Sequence, residues 1–465
     1  VTHEAGWAHA PGALRGPSWL RPPADANELV APLWSSTARK VDGVLEIGGV
    51  ALPDLVAQHG SPAYVLDEAD FRARARAFRD AFAAYDVYYA GKAFLSTAVA
   101  RWVAEEGLFL DVCSGGELTV AERGGVPMER VGFHGNNKSV AELTRAVRLG
   151  VGRIIVDSFT EIDRLAAITE ELGASVRVMV RVTAGVEAHT HEYIATAHED
   201  QKFGFSITSG DALEAVRRVL AAPGLEARGL HSHIGSQIFD SSGFEVAARR
   251  VLALHARIAT ELGVALPEMD LGGGFGIAYT TQDDPSRPDK LAAEMTQIVE
   301  HECRALGIAE PHLSIEPGRA IVGPAMCTVY EVGTVKQVHL DGGAVRTYVS
   351  VDGGMSDNIR TALYDADYSC TLASRASAAP AALARVVGKH CEAGDIVVKD
   401  EFLPADVAPG DLVAVPGTGA YCRSMASNYN HALRPPVVAV RDGSARVVVR
   451  RETEDDLLAT DVGDQ

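Results

Sequence analysis

Basic residues are in short supply: Lys and Arg total 43 against 62 Asp and Glu, a formal net charge of −19 over 465 residues. A nucleic-acid footprint or an anionic membrane surface calls for basic patches, and this balance argues against both. Long hydrophobic runs are missing too. No uncharged apolar stretch approaches the ~18–20 residues of a membrane span, and no apolar signal-peptide core is expected in the first residues. Cysteine is scarce, six in the chain with no C-x-x-C pair, which suits reduced thiols better than a disulfide framework. Aromatics are only 6%, yet 47% hydrophobic and 23% charged residues are ordinary for a globular chain and far from disorder. The length fits two or three domains with a sizeable core. These absences leave a soluble, acidic, cytoplasmic protein.

Residues 1–28, rich in Pro, Gly, Ala and Trp without periodicity, read as an arm. Residues 29–66 read as strands joining a later β domain, with an Asp42-Gly43 turn between β-rich runs. Across 67–320 short apolar runs at 87–89, 108–110, 131–133, 154–156, 176–182, 228–234, 269–271 and 312–315 alternate with stretches of helical period. Eight strands with helices between them are the unit count of a (β/α)8 barrel. Just after each run comes a group able to do chemistry: Lys92, Asp111 with Ser114, His134 with Asn136, Asp157 with Ser158, Arg181, His233 with Ser236, the loop 272–276, and Glu316 with Arg319. Barrel active sites are assembled at the carboxyl ends of the strands, so eight such groups in register support the count. From 321 to 451 the helical period mostly gives way to β-branched runs separated by Asp341-Gly342 and Asp442-Gly443, a mainly antiparallel β domain. Residues 452–465 read as an acidic, solvated tail.

Taken singly, the motifs leave alternatives open. Lys92, flanked by Ala, Gly and aromatics in YYAGKAF, is either a solvated loop lysine or a desolvated amine nucleophile. DLGGGFG at 270–276 is either a tight turn or a backbone cradle for phosphate, and it is not the dinucleotide fingerprint. His231 and His233, two apart on one strand face, have no further ligands at zinc spacing, and His189, His191 and His198 read as a polar loop, so no metal is expected. Glu316 and Arg319 are either a structural ion pair or readers of two charges on one ligand. Cys391, in GKHCE, could be a buried thiol.

Together the motifs carry a resemblance. YYAGKAF at 88–94, DVCSGGEL at 111–118, HEDQKFG at 198–204, HSHIGSQI at 231–238, DLGGGFG at 270–276, EPGRAIVGPA at 316–325, GKHCEAGD at 388–395 and GTGAYC at 417–422 occur in order. The chain thereby resembles the diaminopimelate decarboxylase family, within the alanine-racemase-like, fold-type III class of pyridoxal 5'-phosphate enzymes (group IV decarboxylases). The resemblance implies a barrel plus a β domain and a homodimer with shared active sites. It implies that Lys92 links to the cofactor and that Asp111, Arg181, His233, Ser236, Gly272, Gly273, Gly274, Glu316, Gly318, Arg319 and Tyr421 bind it. His233 would stack on its ring and Glu316 would face its ring nitrogen. Arg319, Arg360, Tyr364, Glu392 and Tyr421 would hold the substrate, and Cys391 would protonate the decarboxylated carbon from the partner subunit.

The implied reaction is decarboxylation of meso-2,6-diaminopimelate to L-lysine and CO2, the last step of lysine biosynthesis. Two cations, Arg319 and Arg360, suit the second carboxylate of that substrate. An ornithine- or arginine-type decarboxylase is the alternative, and a non-catalytic regulatory homologue a more distant one. Asp365, beside Tyr364, departs from the small residue usual there and bears on pocket polarity.

Overall fold

The computed structural model describes residues 17–184, 202–339 and 345–463. The first part of the arm, His189, His191, His198, the start of the HEDQKFG motif and the Asp341-Gly342 turn lie outside them. The chain divides into two compact units, one formed by Arg72–Gly276 with Pro285–Ile321, the other by Val1–Phe71, Ile277–Asp284 and Val322–Gln465. The segment 277–284, read from sequence as part of the barrel, therefore belongs with the β-rich unit.

The first of these is a closed barrel of eight parallel strands: β1 (Asp86–Ala90), β2 (Phe109–Val112), β3 (Val131–Phe133), β4 (Arg153–Val156), β5 (Val176–Thr183), β6 (Leu225–His231), β7 (Glu268–Asp270) and β8 (His312–Ile315). Each pairs with the next, and β8 pairs with β1 to close the ring. Apolar residues buried along these strands, such as Val87, Leu110, Ile154 and Leu313, explain why the runs stood out in sequence. The polar ends of the runs supply the helix starts. Ser96, Ser114, Ser139 and Ser158 each accept a bond from the backbone N–H three residues on and cap the helices after β1 to β4. Ser114 and Ser158, read as groups available for chemistry, are thus helix caps.

The second unit is built on a sheet whose strands run in the order Ile396–Pro404, Ala381–Val387, Val345–Val351, Met326–His339, Ala63–Asp67, Val437–Arg441 and Ser444–Val449. It is mainly antiparallel, but the Val345–Val351/Ala381–Val387 and Ala63–Asp67/Val437–Arg441 pairs are parallel. An N-terminal strand does enter this sheet, at its middle. Residues 39–51 instead make a separate three-stranded sheet, with Asp42 (φ 51°) and Gly43 (φ 80°) forming the left-handed turn expected of that pair. Leu52–His59 is a helix rather than strand: Pro53 sits in its first turn, and Leu52 and Leu55 point into the core. Glu454–Leu458 is a short helix capped by Thr453, Glu452 accepts a 2.6 Å bond from Arg434, and most of the described residues from Thr453 to Gly463 are exposed.

Candidate active site

At the carboxyl ends of the barrel strands lies a cavity of about 290 Å³ lined by Lys92, Asp111, Cys113, His134, Asn136, Arg181, Phe203, His231, His233 and Glu316, among others. Its volume falls near the lower bound of small-molecule sites. Lys92 follows β1 directly and is exposed to the cavity rather than packed away. Asp111 ends the inward face of β2, His134 follows β3, Arg181 lies in β5, His231 closes β6, and Glu316 follows β8. Strand β6 stops at His231, so His233 stands on the loop beyond it, not on the same strand face.

Glu316 and three histidines set the charge state of the floor. His231 Nε2 lies 2.8 Å from Glu316 Oε1, and His134 Nε2 lies 3.4 Å from the same oxygen. Burial pushes the Glu316 carboxyl up, but His231, His134 and His233 outweigh it and hold the group well below the usual carboxylate range. Asp111 goes the other way: burial first, then the neighbouring charge of Glu316, raise it well above that range. Two carboxyl groups in one buried site are thereby pushed in opposite directions. Burial lowers His134 to about 4, and burial followed by Lys92 lowers His233 well below its ordinary value, so both rings are neutral at pH 7. His233 Nδ1 accepts the Gly273 N–H at 3.1 Å, which leaves the ring proton on Nε2.

His134, His231 and Glu316 have ligating atoms within 4.8 Å of one another. The 2.8 Å contact between His231 and Glu316 is a hydrogen bond. It is shorter than the roughly 3.3 Å that arms of about 2.0 Å impose on two donors of a tetrahedral ion.

The glycine loop after β7 is shaped by close approach. A Cβ on Gly272, whose φ is 73°, would sit 2.4 Å from the Ser232 carbonyl, and one on Gly273 would sit 2.4 Å from that of Glu316. Only glycine lets the backbone pass between these two strand ends. Nearby, Arg319 Nη2 donates to Ser236 Oγ at 2.8 Å, joining two residues that the resemblance assigns to the cofactor. Gly318 packs against Ala90, where a Cβ would meet the Ala90 side chain at 2.9 Å. Cys113 opens onto the cavity, yet surrounding protein and then Glu117 push its thiol up to about 12.

The remaining predicted residues lie in the β-rich unit. Arg360 is buried at 5% exposure, bonds Tyr368 Oη at 2.6 Å through Nη1, and stacks over the Tyr279 ring at 4.5 Å. Its Nε has no hydrogen-bond partner, and among the described residues no carboxylate pairs with it. Tyr364 ends the short helix Arg360–Tyr364, and Tyr421 is half-buried with φ 64°. Asp365 accepts a bond from Lys399 at 2.9 Å and is exposed. Cys391 and Glu392 are exposed on a loop held by Asp395, whose carboxylate accepts the N–H groups of Met355 (2.6 Å) and His390 (2.8 Å). The Cys391 N–H bonds Asn430 Oδ1 at 3.2 Å.

The barrel cavity fits a pyridoxal group on its own chemistry. It offers an amine, a buried ionised carboxylate, and two buried polar atoms, Asp111 Oδ2 and His231 Nδ1, that have no hydrogen-bond partner. The comparisons agree. The family described as "Pyridoxal-dependent decarboxylase, pyridoxal binding domain" matches residues 68–323, which defines the class. The chain is 55% identical to the diaminopimelate decarboxylase of Mycobacterium leprae over 99% of both chains. It is 57% identical to that of Mycobacterium tuberculosis over 94% of this chain and 100% of the relative. The crystal structure of diaminopimelate decarboxylase from M. jannaschii in co-complex with L-lysine superposes with a TM-score of 0.86 at 30% identity, covering 92% of this chain and 98% of that one. The chain belongs to the diaminopimelate decarboxylase family.

Proposed function

We infer that this protein is a carbon–carbon lyase that decarboxylates meso-2,6-diaminopimelate to L-lysine and CO2, the last step of lysine biosynthesis, with pyridoxal 5'-phosphate as cofactor. Among features of the molecule itself, the observation that carries the substrate class is Arg360, a buried guanidinium with an unbonded Nε and no carboxylate partner among the described residues. A substrate bearing a distal carboxylate supplies the missing anion. A substrate without one leaves a buried cation unpaired, at a cost of about 3–5 kcal/mol.

When bound, the cofactor acts as the electron sink for the charge left on carbon as CO2 departs. The protein's own residues do the rest. Lys92 Nζ, in the cavity lining, would hold the cofactor through its aldehyde carbon. Glu316, held ionised, favours a protonated ring nitrogen opposite it, because a nearby negative charge stabilises the charged form. His233, neutral and fixed through Nδ1, presents a flat face for stacking. Asp111 and Arg181 line the same cavity, while Ser236, the loop 272–274, Gly318 and Arg319 suit the phosphate. Tyr421, Tyr364 and Arg319 join Arg360 on the substrate, Glu392 pairs with its distal ammonium, and Cys391 Sγ delivers a proton to the carbon that lost CO2.

Cys391 and Glu392 stand exposed on their own chain, which supports a homodimer in which this loop completes the partner's site. Mixing Lys92→Ala with Cys391→Ala subunits should then regenerate activity; no recovery in demonstrated heterodimers overturns sharing. All six cysteines are free, which supports a cytoplasmic location, and no helix among the described residues is long and apolar enough to cross a membrane. The deciding experiment offers meso-diaminopimelate, L-ornithine, L-arginine and L-lysine in parallel and measures CO2. Release from meso-diaminopimelate alone is expected; release mainly from a substrate lacking the second carboxylate overturns the role of Arg360.

A further inference from the structure

Beneath the cavity, inside the barrel, sits an arginine that no part of the mechanism uses. Arg153 opens β4, and its side chain crosses the barrel interior to residues 117 and 161 positions away. Its Nη2 forms a close ion pair with Asp270 on β7, its Nη1 donates to Ser314 Oγ on β8 at 2.9 Å, and its guanidinium lies 3.7 Å from the Tyr88 ring centre. Arg153 is 4% exposed and Asp270 is 0% exposed. Gly132 on β3 makes room for the crossing: a Cβ there would meet Asp111 Oδ1 at 2.5 Å, the Tyr88 ring at 3.4 Å and Arg153 Nε at 3.5 Å.

Asp270 faces both ways. Its Oδ2 takes Arg153 and the Ser314 hydroxyl (2.7 Å), while its Oδ1 accepts the Gly272 N–H at 2.7 Å. One residue on, the Gly273 N–H donates to His233 Nδ1 at 3.1 Å. We propose that Arg153 is a positioning residue: by neutralising Asp270 it fixes the Gly272–Gly273 backbone and, through it, the rotation of the His233 ring that faces the cofactor. A wholly buried carboxylate without its cation would have to draw in water, take up a proton or move. Movement of the side chain, or solvation of Oδ1, loosens the bond to Gly272 and frees the loop. The device sets ring orientation from below while touching neither cofactor nor substrate, as outer-shell partners orient ligating groups in metal sites.

The inference rests on the reading of this cavity as the pyridoxal site, and the two fail separately. If borohydride traps no adduct on Lys92 of the native chain, the site reading falls. The test of Arg153 titrates pyridoxal phosphate into cofactor-free native protein, Arg153→Met, and the double variant Arg153→Met/Asp270→Asn. It follows visible absorbance and the circular dichroism induced in the cofactor band, with the melting temperature of each cofactor-free protein recorded alongside. Arg153→Met should weaken cofactor binding about tenfold or more, the scale on which losing an outer-shell partner acts, and should change the induced signal. The double variant should regain affinity and signal, because the amide that replaces the carboxylate needs no counter-ion and its carbonyl still accepts from Gly272. If Arg153→Met lowers only the melting temperature, with native affinity and signal, the residue is merely structural and the proposal falls. Equal weakness in single and double variants also overturns it, since Arg153 would then not act through Asp270. Should Arg153→Met not fold, Arg153→Lys, which keeps the cation but loses the two-pronged reach, should show a smaller loss of the same kind; native affinity and signal there are equally fatal.

Discussion

In the barrel, Glu316, His231 and His134 are buried at strand ends and contact one another, whereas Cys391 and Glu392 in the β-rich unit stand exposed on a loop ordered by Asp395 and Asn430. In the first set, Glu316 is pushed down by its histidine neighbours and His134 is pushed down by burial before any ligand arrives. The second has its backbone fixed but is open to water within its own chain. Electron withdrawal needs a permanent, desolvated charge, and a rigid strand end in a closed barrel supplies one. On the proposed function, proton delivery calls for a group that is shielded only once the site is covered, a part that a braced surface loop would suit.

The contrast can be broken at several points. Lys92→Ala should abolish both the borohydride-trapped adduct and turnover; retained native turnover would remove the barrel cavity from the chemistry. Cys391→Ala should lower kcat by about 10²–10⁴-fold while cofactor affinity, read by absorbance titration, stays native, because only a proton donor is lost. The same change at Cys113, which opens onto the cavity, should affect kcat far less, and the reverse ranking would transfer the donor role to the barrel. Arg360→Met should lower kcat/KM for meso-diaminopimelate by about 100-fold or more and spare cofactor binding, given the cost of unpairing a buried ion pair.

His134 sharpens the barrel side through pH. Its ring is depressed from 6.5 to about 4 in the fold, so between these values the unfolded chain holds a proton that the folded chain does not. Its effect is absent above pH 6.5, and stability falls as pH drops from 6.5 to 4 by up to about 1.4 kcal/mol per unit. His134→Asn should flatten the melting temperature across that window, and an unchanged slope would show that the ring titrates freely. The smallest effect belongs to Asp365→Asn. Its carboxylate is exposed and bonded to Lys399, so kinetics should be unaltered and stability should move by no more than about 0.5 kcal/mol.

Much of the barrel was legible because its signals are local. Each strand is a short apolar run, each helix has a 3.6-residue period, and Lys92, Asp111, Arg181, His233 and Glu316 fall where the runs end, so their convergence on one cavity follows from strand order. Local signals also misled. Ser114 and Ser158 follow strands as catalytic groups do, but a serine there serves a helix start equally well, and nothing in one sequence separates the two uses. Leu52–His59 was hidden by β-rich neighbours, although Pro53 and the Leu52/Leu55 spacing carried the helix signal. Arg153 gave no signal at all, since an arginine opening an apolar strand reads as a surface flank.

By itself, the sequence determined the unit count and the barrel and β-rich halves, and the motifs that carry its family resemblance implied the cofactor class and placed Lys92, Asp111, Arg181, His233 and Glu316 on what proves to be one cavity. All of these rest on residue types at short spacings. The tertiary structure decided the opposite shifts of Glu316 and Asp111, that Ile277–Asp284 belongs with the β-rich unit, and that Arg360 is buried without a carboxylate partner among the described residues while Asp365 bonds Lys399. It also decided that Arg153 meets Asp270 across the barrel. Those outcomes depend on desolvation and on contacts between residues far apart in the chain, and both exist only once the strands have closed.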